Sequence, residues 1–483
     1  MRWLDSNPNK SCRLIYLHMP NRLTILHTND IHGRLEGLAR VATLVAQTRA
    51  NSQHPVLYFD AGDIEETNTR LSSLTKGVAM HQLLSAAGCQ AAAIGNGGLL
   101  RYSQSILEQY AKAASYPLFL ANVVMPDGAS VTGVQPSGIL EVNGVKLGII
   151  GLTDPFEAYT SFFGLRQLEI VAVVRQYALA LRAQGADLIV VLSHLGWLHK
   201  DAAHFNDQHL AQALPNEIDL IIGAHTHHLL EHGERIGRVW VAQAGNYAEH
   251  LGRIECEANN GLWQVVSCSV QAITDEIQPA QAVLEKVSQI NAELETWLNE
   301  PLCQLTADFS YHELNESAVG SLLADALRDY WNADVGVAMA GIGFEKPLLQ
   351  GVLTRATLKD ITIAANPAVC QLSGLELLEL LERGQNPEQI NTRELRGGMA
   401  FGTLHVSGVK RENQVWLFDN QPLEPLRIYR VAATDAELES SFGYLSKEQS
   451  LKVQYHSDII VNEVLEQYVQ KYPQLSPAVP RIL

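Results

Sequence analysis

No stretch of this chain approaches the roughly 18 consecutive apolar residues that a membrane-crossing helix needs. Its apolar runs are as short as Asp187 to Leu192, so no such helix is expected. Cysteine is scarce as well. Cys12, Cys89, Cys256, Cys268, Cys303 and Cys370 form no C-x-x-C pair and no dense framework. Zinc-finger and thioredoxin readings therefore drop out, and reduced, mostly packed thiols are expected. Basic residues fall short of acidic ones, 35 against 52, which leaves a net charge of −17. A field of that sign repels DNA, RNA and anionic lipid, and any anionic substrate needs a local positive centre such as a bound metal. The opening 22 residues hold only Leu14 to Leu17 as an apolar island, short of the roughly 7 to 15 residues of a secretory signal. A cytoplasmic location is expected, with residues 1–19 as a loose arm or an over-extended start. No phosphate-cradling G-x-x-x-x-G-K-[ST] occurs, Gly95-Asn96-Gly97-Gly98 lacks the third glycine of a dinucleotide fingerprint, and no Ser or Cys nucleophile elbow is visible.

What the chain does have is a globular balance, 47% hydrophobic and 18% charged residues over 483 positions. That length exceeds a single core, since cores stop growing near roughly 250 to 300 residues. From Leu23 to Gly223, short β-type runs alternate with amphipathic stretches, which is α/β organisation. Asn143-Gly144 and Asn260-Gly261 add two-residue hairpin turns. Residues 20–273 thus read as a β-sandwich flanked by helices. Within 274–303, Val283, Val287, Ile290, Leu294 and Leu298 fall on one face of a connecting helix. Residues 304–483 read as a second, smaller α/β domain.

Five β-type runs end in residues able to bind a metal, and open α/β sheets place ligands at the carboxyl ends of their strands. LTILHT runs into Asn29, Asp30, Ile31 and His32; VLYF into Asp60 and Gly62-Asp63; AAAIG into Asn96; DLIVVLS into His194; DLIIG into His225, Thr226 and His227. Each residue alone has an ordinary explanation as a cap, a turn or an edge residue. Their joint occurrence does not, and three histidines in four residues, His225, His227 and His228, directly follow an apolar strand. Seven donors, Asp30, His32, Asp63, Asn96, His194, His225 and His227, include no thiolate, which suits hard or borderline divalent ions such as Mn, Zn, Fe, Co or Mg. Seven suffice for two ions if one carboxylate bridges. Such a pair can present a bridging hydroxide to a phosphate and clamp its oxygens during in-line displacement.

With these residues in place the chain resembles the calcineurin-like metallophosphoesterases, and specifically the two-domain bacterial 5′-nucleotidase family. The D-x-H of that family appears as Asp30-Ile31-His32, G-D as Gly62-Asp63, G-N-H as Gly95-Asn96-Gly97, S-H as Ser193-His194 and G-H-x-H as Ala224-His225-Thr226-His227. The resemblance implies one ion on Asp30, His32 and His227 and another on Asn96, His194 and His225, with Asp63 shared. It also implies metal-dependent hydrolysis of a nucleotide or related phosphate ester; a monomer or small homo-oligomer is expected. The departures are specific. Gly97 stands where the family has its acid histidine, leaving the general acid unassigned, with Arg101 and His228 as candidate stand-ins. A slow or specialised hydrolysis, favouring good leaving groups, is expected. Ala340-Gly341-Ile342-Gly343-Phe344 and Ser440-Ser441-Phe442-Gly443-Tyr444 lack the family's nucleotide-binding Arg and ribose-binding Asp. The family's stacking positions fall on Ala436 and near Thr403, two residues after Phe401. Phe344, Phe401 and Phe442 are the candidate substrate contacts. The competing readings are a phosphodiesterase or pyrophosphatase acting on a non-nucleotide, and a catalytically weak metal-binding regulator.

Overall fold

The computed structural model describes residues 21–161, 163–199, 201, 203–312, 314–339, 346–359, 365–388, 402–438, 452–456 and 458–482. In its first half the strands are β1 (Arg22–Thr28), β2 (Val56–Asp60), β3 (Ala91–Ala93), β4 (Leu118–Phe119), β5 (Val123–Val124), β6 (Ser137–Val142), β7 (Val145–Thr153), β8 (Arg166–Gln167), β9 (Leu188–His194), β10 (Leu220–Ile222), β11 (Glu234–Ile236), β12 (Val239–Ala242), β13 (His250–Asn259) and β14 (Leu262–Ala272). They form two six-stranded sheets, ordered β14-β13-β1-β2-β3-β4 and β11-β12-β10-β9-β7-β6, plus a β5-β8 ribbon.

Strand alternation explains the layering. Leu23, Ile25, Leu57 and Phe59 on the first sheet meet Val145, Leu147, Ile149, Leu188, Val190 and Leu192 on the second, and all are buried between the two. Successive side chains point to opposite faces of a strand. Leu26 and Tyr58 therefore face outward, onto the helix Leu35–Asn51. Ile150, Ile189 and Val191 likewise meet the helix Ile170–Ala183. The result is a mixed α/β sandwich of helix, sheet, sheet and helix layers. Left-handed backbone at Asn143 and Gly144 (φ 49° and 86°) and at Asn260 and Gly261 (52° and 81°) closes the β6-β7 and β13-β14 hairpins, as a right-handed strand twist requires.

The helix Gln281–Leu298 lays Val283 and Ile290 onto the outer core of the first sheet. Beyond it, a five-stranded sheet runs Leu404–Ser407, Val335–Met339, Ile428–Thr434, Pro367–Ser373 and Gln454–Tyr455 in spatial order. It shares one core with the helices Ala318–Trp331 and Val461–Val469. The two units touch where Lys76 Nζ meets Glu463 Oε1 at 2.9 Å and donates to the Asp458 carbonyl at 3.1 Å. Cys89, Cys256, Cys268, Cys303 and Cys370 are free and buried. Among the described residues no helix is long and apolar enough to cross a membrane.

Candidate metal centre

Parallel pairing sets the carboxyl ends of several strands side by side. Thr28 registers with Asp60 and Asp60 with Ala92, while Thr153 registers with His194 and Leu192 with Ile222. The loops leaving these ends lock together. Asp30 N–H donates to Gly62 O at 2.9 Å, His32 N–H to Asp63 O at 3.0 Å, and Gly97 N–H to Asp63 Oδ1 at 2.8 Å. Glycine is required where the loops cross: a Cβ on Gly95 would stand 2.1 Å from Asp63 Oδ1, and one on Gly62, at φ 100°, 2.6 Å from Gly95 N. Asp30, His32, Asp63, His225 and His227 all occupy left-handed backbone, with φ of 50°, 47°, 52°, 70° and 57°. Non-glycine residues there are uncommon and gather at functional sites.

The side chains converge as ligands would. His32 Nε2 and His227 Nε2 lie 3.1 Å apart, and Asp30 Oδ1 is 3.8 Å from the first and 3.6 Å from the second. A second group uses the same Asp30 oxygen, 3.8 Å from His194 Nε2, which also lies 3.2 Å from Asp63 Oδ2. His194 Nδ1–H donates to the Ala61 carbonyl at 2.9 Å. When neutral, the ring is thereby held in the tautomer whose Nε2 carries a lone pair. That Nε2 is buried without a hydrogen-bond partner, and so is Asn96 Oδ1. Buried acceptors left unpaired are costly. His194 Nε2 faces two carboxylates, and a donor set of imidazoles, carboxylates and an amide oxygen suits a divalent cation.

A surrounding layer fixes these groups. Asn29 Nδ2 donates to Asp30 Oδ2 at 2.8 Å and to Gly245 O at 2.5 Å, while its Oδ1 accepts from Ala244 N–H at 2.9 Å. Glu66 Oε2 lies 3.5 Å from His32 Nδ1, and the Asn246 amide is 3.1 Å from His227 Nδ1. His225 N–H points at both Asp30 oxygens, at 3.1 and 3.0 Å. Its ring, however, leans away, with Nε2 3.6 Å from Asp154 Oδ2.

Charges follow the same geometry. Burial opposes ionisation of Asp63, but His194 outweighs it and holds that carboxyl well below its usual range; His194 is raised in return. Burial, helped by His194, pulls His225 down to about 4. The Asp30 contact raises His227. Behind the helix Asn96–Tyr102, burial and Asp63 push Glu65 up to about 8. That group is mainly neutral at pH 7.

All seven donors stand at this one edge. A cavity of about 390 Å³ opens beside them, lined by His32, Asp63, Asn96, Gly97, Leu100 and Arg101 among others. Asn96, Gly97, Leu100 and Arg101 share one face of their helix, as the 3.6-residue repeat dictates. Arg101 also offsets part of the rise that burial imposes on Asp435 of the second unit. Phe344, Phe401 and Phe442 lie outside the described residues. Ala436 and Thr403 are described and buried, 6% and 2% exposed. The sequence reading missed Asp154, although GVKLGIIGLTD is a sixth apolar run that ends in a ligand-type residue.

A helix-flanked double sheet carrying a histidine and carboxylate cluster at the carboxyl ends of its strands defines a metal-dependent phosphoesterase. Residues 23–229 match the calcineurin-like phosphoesterase family, and residues 300–444 match the 5′-nucleotidase C-terminal domain. The chain belongs to the calcineurin-like phosphoesterases that carry a 5′-nucleotidase C-terminal domain, hydrolases of ester bonds. It is 28% identical over 407 residues to the uncharacterized metallophosphoesterase YunD of Bacillus subtilis (strain 168), covering 82% of this chain and 86% of that protein. It is 27% identical over 495 residues to the snake venom 5′-nucleotidase of Gloydius brevicauda, covering 89% and 79%. The fold is shared with the 5′-nucleotidase precursor of Thermus thermophilus, at a TM-score of 0.52 and 21% identity over 95% of this chain and 99% of that one.

Proposed function

We propose that the chain hydrolyses a nucleotide or a related phosphate ester at a centre of two divalent cations. The observation that carries this reading is the pairing of stranded buried acceptors, His194 Nε2 and Asn96 Oδ1, with five ligand-type residues held in left-handed backbone. Asp30, His32 and His227 would hold one ion and Asn96, His194 and His225 the other, with Asp63 serving both. Bound there, the ions would supply Lewis-acid polarisation of a phosphoryl oxygen and an activated water at neutral pH. The protein's own part is orientation. Ala61 O fixes the His194 tautomer, Asn29 aims Asp30, and Gly97 N–H holds Asp63. Arg101, which lines the same cavity, places a permanent positive charge where an anionic substrate enters a chain of net charge −17.

Gly97 offers no proton to a departing oxygen. This favours substrates whose leaving group departs unassisted, an aryl phosphate or a pyrophosphate linkage, over a simple sugar phosphate. A Mn²⁺-supplemented assay should include an aryl phosphate, a dinucleotide pyrophosphate and a nucleoside monophosphate. Turnover is expected to be fastest on the first two. Asp63→Ala should cut it by about 10³-fold, roughly 4 kcal/mol of barrier. Absence of turnover on every phosphomonoester, diester and pyrophosphate, in a protein that still binds Mn²⁺, would instead make it a metal-bound regulator.

A further inference from the structure

Asp154 follows directly on β7, beside His194, because Thr153 and His194 are partners in the parallel register. It occupies the same edge as the seven donors and is only 2% exposed. Its two oxygens are engaged differently. Oδ1 accepts from His204 Nε2 at 2.7 Å, an ordinary hydrogen bond, while Oδ2 faces His225 Nε2 at 3.6 Å, too long for one. Ligand-type atoms of Asp154, His199 and His225 all fall within 4.8 Å of one another. His199 is already committed through Nε2, which donates to the Leu195 carbonyl at 2.6 Å, and its ring stacks on His204 at 3.9 Å between centroids.

Two donors that each reach one ion at about 2.0 to 2.2 Å stand about 3 to 3.6 Å apart, from cis-octahedral to tetrahedral angles. The pair His194 Nε2 and Asp63 Oδ2 shows that spacing at 3.2 Å, and His227 Nε2 with Asp30 Oδ1 at 3.6 Å. Asp154 Oδ2 and His225 Nε2 repeat it. We propose that Asp154 is a further ligand of the ion held by His225, and that His204 is the partner that aims its carboxylate. The inference rests on the two-ion reading above and adds to it. An extra carboxylate oxygen hardens that site. It shifts preference towards Mn²⁺ and away from Zn²⁺, because carboxylates suit the former and imidazoles the latter.

The test is metal uptake by the full chain, measured by equilibrium dialysis against Mn²⁺ with elemental analysis, and by the paramagnetic resonance signal of a coupled Mn²⁺ pair. The native protein should take up two ions. Asp154→Asn, nearly isosteric, should keep one tightly, weaken the other about 10- to 100-fold and lose the coupled signal at sub-saturating Mn²⁺. His204→Gln, which leaves the carboxylate in place, should weaken that same ion by a smaller factor. Zn²⁺ should displace Mn²⁺ from Asp154→Asn at lower concentration than from the native chain. Two ions bound by Asp154→Asn with native affinity would overturn the proposal while leaving the two-ion centre standing. So would a third ion in the native protein that Asp154→Asn alone loses. Fewer than two ions in the native protein would remove the centre and this ligand together.

Discussion

Gly95, Gly97 and Gly98 sit within four residues of one another and answer to different constraints. A Cβ at Gly95 would overlap Asp63, and one at Gly98 would stand 2.3 Å from Glu65 Oε1 and 2.5 Å from the Tyr110 hydroxyl. Gly97 is freer: its Cβ would lie 3.1 Å from Asp63 Oδ1, a contact that a few tenths of an ångström relieve. Gly97→His should therefore fold. Its imidazole would enter the cavity next to Leu100 and Arg101, where it can donate a proton to a leaving group. The expected outcome is a rise of about 10- to 100-fold in kcat on an alkyl phosphate and little change on an aryl phosphate, read from steady-state kinetics on both. Gly95→Ala, as the contrast, should lose activity on either substrate. A fall in kcat on the alkyl phosphate would mean that this site delivers the proton by another route. The sequence marked Gly97 as a departure from its family, but it could not say that Gly98 is small to seat a buried glutamate. That contact joins residues 33 positions apart.

Strands and tight turns were legible because their signals are local. Period-two alternation and two Asn-Gly dipeptides suffice for the β6-β7 and β13-β14 hairpins. Partnership across an edge is not local. β7 is antiparallel to β6 and parallel to β9; its Asn143-Gly144 turn advertises the first pairing and nothing in its own residues advertises the second. Asp154 at its other end carries the same run-ending signal as the other donors, but its place beside His194 comes only from the second pairing. Asn29 is a similar case. It follows β1 as one more polar residue, yet it ties that loop to Ala244 and Gly245 after β12, joining the edges of the two sheets. Asn29→Ala would strand the Ala244 N–H and the Gly245 carbonyl in a buried place. A loss of about 1 to 3 kcal/mol in urea unfolding is expected, with roughly tenfold weaker Mn²⁺ binding because Asp30 is no longer aimed. Unchanged affinity in a calorimetric titration would show that Asp30 holds its orientation unaided.

For the molecule as a whole, net charge was readable from composition, but where protons are bound was not. Burial pushes three carboxyls under the site upward: Asp60 to about 7, Asp207 to about 8 and Glu65 to about 8. A raised carboxyl pKa means that the folded state holds the proton more tightly than the unfolded one. The contribution of Glu65 to stability is complete below its ordinary value of 4.5 and is lost as pH climbs through about 8. Glu65→Gln preserves the neutral form at every pH. In chelator, the melting temperature of the native chain should decline more steeply between pH 5 and 8 than that of the variant; parallel curves would show that Glu65 ionises freely. The helix Gln281–Leu298 was also legible, from the apolar stripe of Val283, Val287, Ile290, Leu294 and Leu298.

The left-handed backbone at Asp30, His32, Asp63, His225 and His227 narrows the future of these positions under random substitution. Such conformations penalise branched and bulky side chains and tolerate Gly, Asn, Asp and His. Apart from glycine, the residues most easily exchanged there are themselves oxygen or nitrogen donors. Mutational drift at this edge would therefore tend to swap one donor for another, so a descendant chain is more apt to change which cation it prefers than to stop binding one.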